Sequence, residues 1–131
     1  MSEEISIEEY WKLQKKGNKF SAKSTIIDGI TFQSLDEGAR YKELLITSVA
    51  EAITQLQVHA PKIVILDAFT DRYGKKHKTS YYIPDFSYYE SGLFVIEDVK
   101  GGKATRTAIF ELKRKIILSR YPDIDFRIIT M

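Results

Sequence analysis

Between Tyr81 and Gly102 apolar and polar residues alternate in two runs, split by Glu90-Ser91-Gly92. A side-chain period of two belongs to a strand, aromatic and β-branched residues favour it, and Gly92 supplies a turn. The pattern therefore predicts two consecutive antiparallel strands. Along the second, Phe94, Ile96, Asp98 and Lys100 share one face, and Leu93, Val95, Glu97 and Val99 the other. Along the first, Tyr81, Ile83, Asp85 and Ser87 share a face. Pairing of the two brings Asp85 toward Asp98 and Lys100. Pro84 confines its position to an edge or a bulge, and Gly101-Gly102 allows a backbone to approach something closely, such as a phosphate.

Helical patterns flank this region. Ser6-Ile7-Glu8-Glu9 and Ser34-Leu35-Asp36-Glu37 both have the capping-box form, predicting one helix over 7–16 and another from 34 to about 52. The second helix aligns Glu37, Tyr41, Leu44, Leu45, Ser48 and Ala52 on one inward stripe. A glutamate reaching back to its own cap accounts for Glu37 without any further role; an acid directed at a site is the other reading. Residues 17–25 read as a polar, basic linker, and Asp28-Gly29 as a turn before a short strand at 30–32. Residues 62–66 form an apolar strand, and 71–78 an exposed hairpin loop in which His77 faces solvent. His59 and His77 read as isolated residues that make no metal site. Thr105 or Thr107 caps a helix running to about Arg120, with Ile109, Leu112 and Ile116 buried and Tyr121-Pro122 as its stop. Residues 124–129 close the chain as a strand. The element order is that of an α/β layered domain with a mixed sheet.

Composition sets the boundaries of that picture. A chain of 131 residues with 44% hydrophobic and 29% charged residues can build one ordinary globular core. No apolar run approaches a membrane span, and the acidic N-terminus lacks the features of a secretory leader, so a cytoplasmic protein is expected. Without cysteine there is no disulfide, thiolate nucleophile or cysteine-type zinc site. The net charge of +2 hides an uneven distribution. Residues 1–10 hold four glutamates and no basic side chain, whereas residues 100–120 hold seven basic side chains against Glu111 alone. A second basic group, Lys12, Lys15, Lys16, Lys19 and Lys23, precedes the first strand. Such clustering is the footprint expected for a phosphate backbone, and also that of a solvated helix face.

Two carboxylates and an ammonium on one sheet face suit magnesium-dependent phosphodiester hydrolysis; the same spacing also makes a simple surface ion pair. Ile83-Pro84-Asp85, twelve further residues and then Asp98-Val99-Lys100 resemble the PD-(D/E)xK signature of restriction-endonuclease-like nucleases. The segments 20–41, 83–88 and 95–101 resemble one branch in particular, the phage and prophage family DUF1064, with a likeness running from about Lys19 to the C-terminus. The resemblance implies a nuclease-like domain over 19–131 with a restriction-endonuclease-like core, a central mixed sheet flanked by helices, and leaves 1–18 as a helical extension. It also implies Mg²⁺, replaceable by Mn²⁺, held by Asp85, Asp98, the Val99 carbonyl and Glu37, with Lys100 completing the catalytic set. DNA is the implied substrate, in the bacterial host cell, as a replication or recombination intermediate that includes branched forms. Lys103, Arg106, Lys113 and Arg114 are then the candidate phosphate contacts, and a homodimer would supply two active sites. Two alternatives stay open: a nuclease-fold DNA-binding protein without cleavage, and a factor that engages a host or phage protein through its N-terminal helix.

Overall fold

The computed structural model describes residues 24–101 and 106–131. The predicted helix over 7–16, the lysines from Lys12 to Lys23, Lys103 and Thr105 lie outside the described residues. The chain divides into two compact units, residues 1–41 and 42–131.

In the first unit, β1 (Thr25–Ile27) and β2 (Ile30–Phe32) form an antiparallel hairpin. Asp28 and Gly29 both take positive φ, 54° and 77°, the backbone of a two-residue turn that matches strand twist. The expected linker thus ends in a strand: three β-branched residues, folded back by Asp28-Gly29, can pair with 30–32. Helix α1 (Leu35–Val49) starts here. Ser34 Oγ accepts the Glu37 N–H at 3.0 Å, which satisfies one of the orphan donors of the first turn. Phe32 is fully buried against Tyr41, ring centroids 5.0 Å apart, and the Tyr41 hydroxyl donates to Asp28 at 2.9 Å. Gly38 allows the helix to approach β1 closely. A Cβ there would stand 2.9 Å from the Thr25 methyl and 3.0 Å from Ile27 Cδ1.

Helix α1 stops at Val49, short of Ala52, where Glu51 turns left-handed at φ 63°. Strands β3 (Thr54–Val58), β4 (Ile63–Leu66), β5 (Phe69–Thr70), β6 (Lys76–His77), β7 (Ser80–Tyr82), β8 (Phe86–Glu90) and β9 (Leu93–Lys100) follow. Helix α2 (Ala108–Arg120) and β10 (Asp125–Thr130) complete the second unit. Its central sheet is mixed, in the order β10-β9-β8-β3, with β10 parallel to β9 and the other pairs antiparallel. The hairpin between β8 and β9 forms where the alternation placed it. Glu90 pairs with Leu93, and Ser91 and Gly92 both take positive φ.

The first run of that pattern does not stay in one sheet. Residues 80–82 pair with β4 and residues 86–90 with β9, with Ile83-Pro84-Asp85 as the break. Proline has no N–H for a ladder, so pairing changes partner there. The expected shared face of Tyr81 with Asp85 fails accordingly: Tyr82 is buried, at 7% exposure, while Tyr81 is 45% exposed.

The predicted stripe of α2 is also corrected. Ile109 and Leu112 are 66% and 57% exposed, Ile116 lies at the margin of the core, and Phe110 and Ile117 are the buried residues. Thr107, one of the two expected caps, provides the cap; its hydroxyl accepts the Phe110 N–H at 3.1 Å. The phase follows from Phe110, whose ring meets Phe126 edge-on at 6.1 Å and carries Ile117 inward two turns later. These residues join Ile63, Ile65, Tyr82, Ile96 and Phe126 in one core. The hairpin of β5 and β6 forms as expected, but His77 is half-buried rather than solvent-facing. It stacks on Phe69 at 4.6 Å and bonds Asp71 at 2.9 Å. Among the described residues no helix is long and apolar enough to cross a membrane.

Candidate functional site

Asp98 and Lys100 lie two residues apart on β9 and therefore point the same way. Lys100 Nζ stands 3.0 Å from Asp98 Oδ1, both side chains mostly shielded from water. The ammonium also sits 4.0 Å from the centre of the Phe110 ring, a cation–π contact that holds it over the aromatic face. The Tyr82 hydroxyl donates to the second oxygen of Asp98. One carboxylate is thus fixed between a cation and a phenol.

Asp85 arrives from the break before β8. Its N–H donates to Glu97 O at 3.0 Å and its Oδ2 accepts the Val99 N–H at 2.7 Å. These two contacts straddle Asp98, so the expected approach of Asp85 to that stretch of β9 is present. Asp85 also accepts the backbone N–H of His59 at 2.9 Å, and a His59 ring nitrogen lies within 4.8 Å of an Asp85 carboxylate oxygen. The reading of His59 as an isolated residue is thereby corrected: the backbone pairing at the end of β3 delivers it to Asp85.

Burial pushes the Tyr82 phenol far above its ordinary range; the Asp98 charge, the hydrogen bond to Asp98 and the Asp85 charge add to that push. The two carboxylates therefore act on one phenol. In the unfolded chain the phenol would titrate near pH 10. Its folded pKa being the higher, Tyr82 contributes stability that is complete below about pH 10 and is lost as pH rises beyond it. Urea unfolding at pH 9 and pH 11 is expected to show a smaller alkaline loss in Tyr82→Phe than in the wild type. An equal loss in both would remove Tyr82 as the source.

The opposite face of β9 is different in kind. Glu97 is fully buried and accepts from the Tyr88 hydroxyl. Arg127 lies behind that pair, 3.4 Å from the Tyr88 oxygen, 2.6 Å from Glu90 and 2.9 Å from Asp125. The alternation is therefore as expected, with Glu97 and Asp98 in separate environments.

An open cleft of about 380 Å³ adjoins the Asp98–Lys100 pair, lined in part by Tyr81, Ile83, Ile109 and Lys113. Of the basic residues expected to contact phosphate, Lys113 faces this cleft. Arg106 pairs with Glu111 at 2.7 Å, which holds the guanidinium proton more tightly than usual. Arg114 reaches the same glutamate at 4.0 Å and lies over the Phe126 ring at 5.7 Å, so it packs on the core instead of standing on an open flank. Glu37 belongs to the first unit, where it is buried at the start of α1.

Tyr82, Phe110 and His59 are the site's neighbours that periodicity missed. The signal for Tyr82 was the parity break that Pro84 imposes. Phe110 was hidden because the apolar spacing of the helix favours the Ile109 face, and it is the Phe126 ring that turns Phe110 inward. His59 carried no local signal.

The family model described as Protein of unknown function (DUF1064) matches residues 17–131. No curated protein and no solved structure matched the chain.

Proposed function

The chain belongs to the DUF1064 family, and from that premise and the Asp98–Lys100 pair we propose a metal-dependent DNA endonuclease with a restriction-endonuclease-like fold. The observation that carries this reading is the Lys100 ammonium 3.0 Å from Asp98, on the strand whose Val99 N–H binds Asp85. Two carboxylates, a lysine and an adjoining open cleft are what hydrolysis of a phosphodiester asks of a protein.

The donor chemistry fits a hard divalent ion such as Mg²⁺, which prefers oxygen ligands from one or two carboxylates. Asp85 and Asp98 would hold it, with the Val99 carbonyl; Glu37 is the acid that the nuclease resemblance adds. Bound there, the ion supplies Lewis acidity and a more acidic water. Lys100 would orient the attacking water and offset negative charge developing on the phosphate. Tyr82 and Phe110 are positioning residues, the first holding Asp98 and the second holding the ammonium. Lys113 contacts the DNA backbone from the cleft wall, joined by Lys103, Arg106 and Arg114. For Arg106 and Arg114, phosphate competes with Glu111. Contacts of this kind make binding salt-sensitive and indifferent to base sequence.

The reading places the enzyme in the cytoplasm of a bacterial host, acting on replication or recombination DNA as a phage or prophage product. Cutting both strands or a junction calls for two active sites, supplied by a homodimer. Labelled linear duplex, single-stranded, flapped and four-way-junction DNA incubated with Mg²⁺, Mn²⁺ or EDTA tests the proposal. Cleavage is expected with either ion and none with EDTA. Binding of these DNAs without cleavage under any condition would favour a DNA-binding role instead.

A further inference from the structure

We infer that His59 is a ligand at the divalent-ion site of Asp85, giving that site a preference for first-row transition ions such as Co²⁺ over Mg²⁺. The inference rests on the metal-dependent reading above and adds an imidazole to a set otherwise made of carboxylates and a carbonyl. A His59 ring nitrogen and an Asp85 carboxylate oxygen lie within 4.8 Å of each other. Two donors each about 2.1 Å from a small octahedral ion stand roughly 3 Å apart when adjacent and about 4.2 Å when opposite. Small side-chain movements therefore bring this pair to shared coordination.

The juxtaposition is built into the backbone. Val58 pairs with Phe86 at the end of the β3–β8 ladder, and the next residue, His59, donates its N–H to the Asp85 carbonyl at 2.9 Å. His59 is exposed to solvent, so an ion can reach it from outside. The nitrogen donor decides the ion: imidazole suits cobalt, nickel and zinc, whereas Mg²⁺ retains oxygen ligands and water. An all-carboxylate site discriminates less, so the fall in Co²⁺ affinity on removing the imidazole, rather than the wild-type preference alone, reports the nitrogen ligand.

The choice of variant follows from φ. His59 has φ 53°, a conformation that glycine and asparagine occupy at low cost and alanine does not. The full chain, its His59→Gly and His59→Asn variants and Asp85→Asn are titrated calorimetrically with Mg²⁺ and with Co²⁺, and the visible absorption of bound Co²⁺ is recorded. Circular-dichroism melting establishes that each variant is folded. The wild type is expected to bind Co²⁺ at least about tenfold more tightly than Mg²⁺. Both His59 variants are expected to lose at least about tenfold in Co²⁺ affinity and to change its absorption bands, with Mg²⁺ affinity altered by less than about threefold. Unchanged Co²⁺ affinity and bands in both His59 variants would overturn His59 as a ligand. Asp85-dependent Mg²⁺ binding in the same titrations would leave the nuclease reading standing. Absence of any Asp85-dependent binding of either ion would instead overturn the metal reading, and the ligand assignment with it.

Discussion

Lys100→Ala and Asp98→Asn are each expected to lower metal-dependent DNA cleavage by about a hundredfold or more, while Glu97→Gln stays within a few-fold of wild type. Removal of one group that stabilises charge in the transition state commonly costs about 10²–10³ in rate. Lys100 is well placed for that task because its ammonium is held by Asp98 at 3.0 Å and by the Phe110 ring at 4.0 Å. Asp98→Asn keeps the size of the side chain and an oxygen that can accept from Tyr82, but removes the negative charge. The control residue is the adjacent one. Glu97 has its side chain on the other face, buried against Tyr88, and its glutamine analogue can still accept the phenol's hydrogen bond. Kinetic assays on flapped and junction DNA, run beside thermal melting, separate chemistry from stability. Equal loss of cleavage in folded Asp98→Asn and Glu97→Gln would contradict the separation of faces.

Ile117→Ala is expected to destabilise the protein by about 2–5 kcal/mol, as a fully buried isoleucine truncated in a packed core does. Ile117 has no exposed surface and lies among Ile63, Ile65, Ile96 and Phe126. The loss combines the transfer free energy of the missing methyl and methylene groups with a cavity that the surrounding strands cannot close. Ile109→Ala, one helical phase away, should change stability by less than about 0.5 kcal/mol, because the residue is 66% exposed. Urea unfolding of the two variants compares them directly. A large effect at Ile109 with a small one at Ile117 would restore the phase that the raw apolar spacing suggested.

The helix error and the strand error have related causes. In α2 the pattern contains more apolar residues than one face can hold: Ile109, Phe110, Leu112, Ile116, Ile117 and Leu118. Raw spacing favours the phase of Ile109, Leu112 and Ile116, because the phase of Phe110 and Ile117 carries Lys113 and Arg114 between them. The Phe126 ring on β10 selects the second phase by receiving Phe110. In the segment 80–90 the alternation is continuous on paper, yet Pro84 removes a donor and the chain changes sheets. The inward tyrosine is therefore Tyr82 instead of Tyr81. At Arg106 and Arg114, a count of positive charges could not anticipate that both would turn to Glu111.

Sequence alone determined the features that depend on neighbours in the chain. The capped start of α1, the Ser91-Gly92 turn, the β8–β9 pairing and the shared face of Asp98 and Lys100 are of this kind. Each follows from local geometry: a hydroxyl reaches an N–H three residues on, glycine tolerates positive φ, and strand side chains alternate. Only the tertiary structure decided what meets those residues. Tyr82 reaches Asp98 from a strand of another sheet, Phe110 supports Lys100 from a helix, and His59 comes to Asp85 from the end of β3. Such contacts join residues distant along the chain, and the burial of the whole core selects them; no periodicity within a single element encodes that choice.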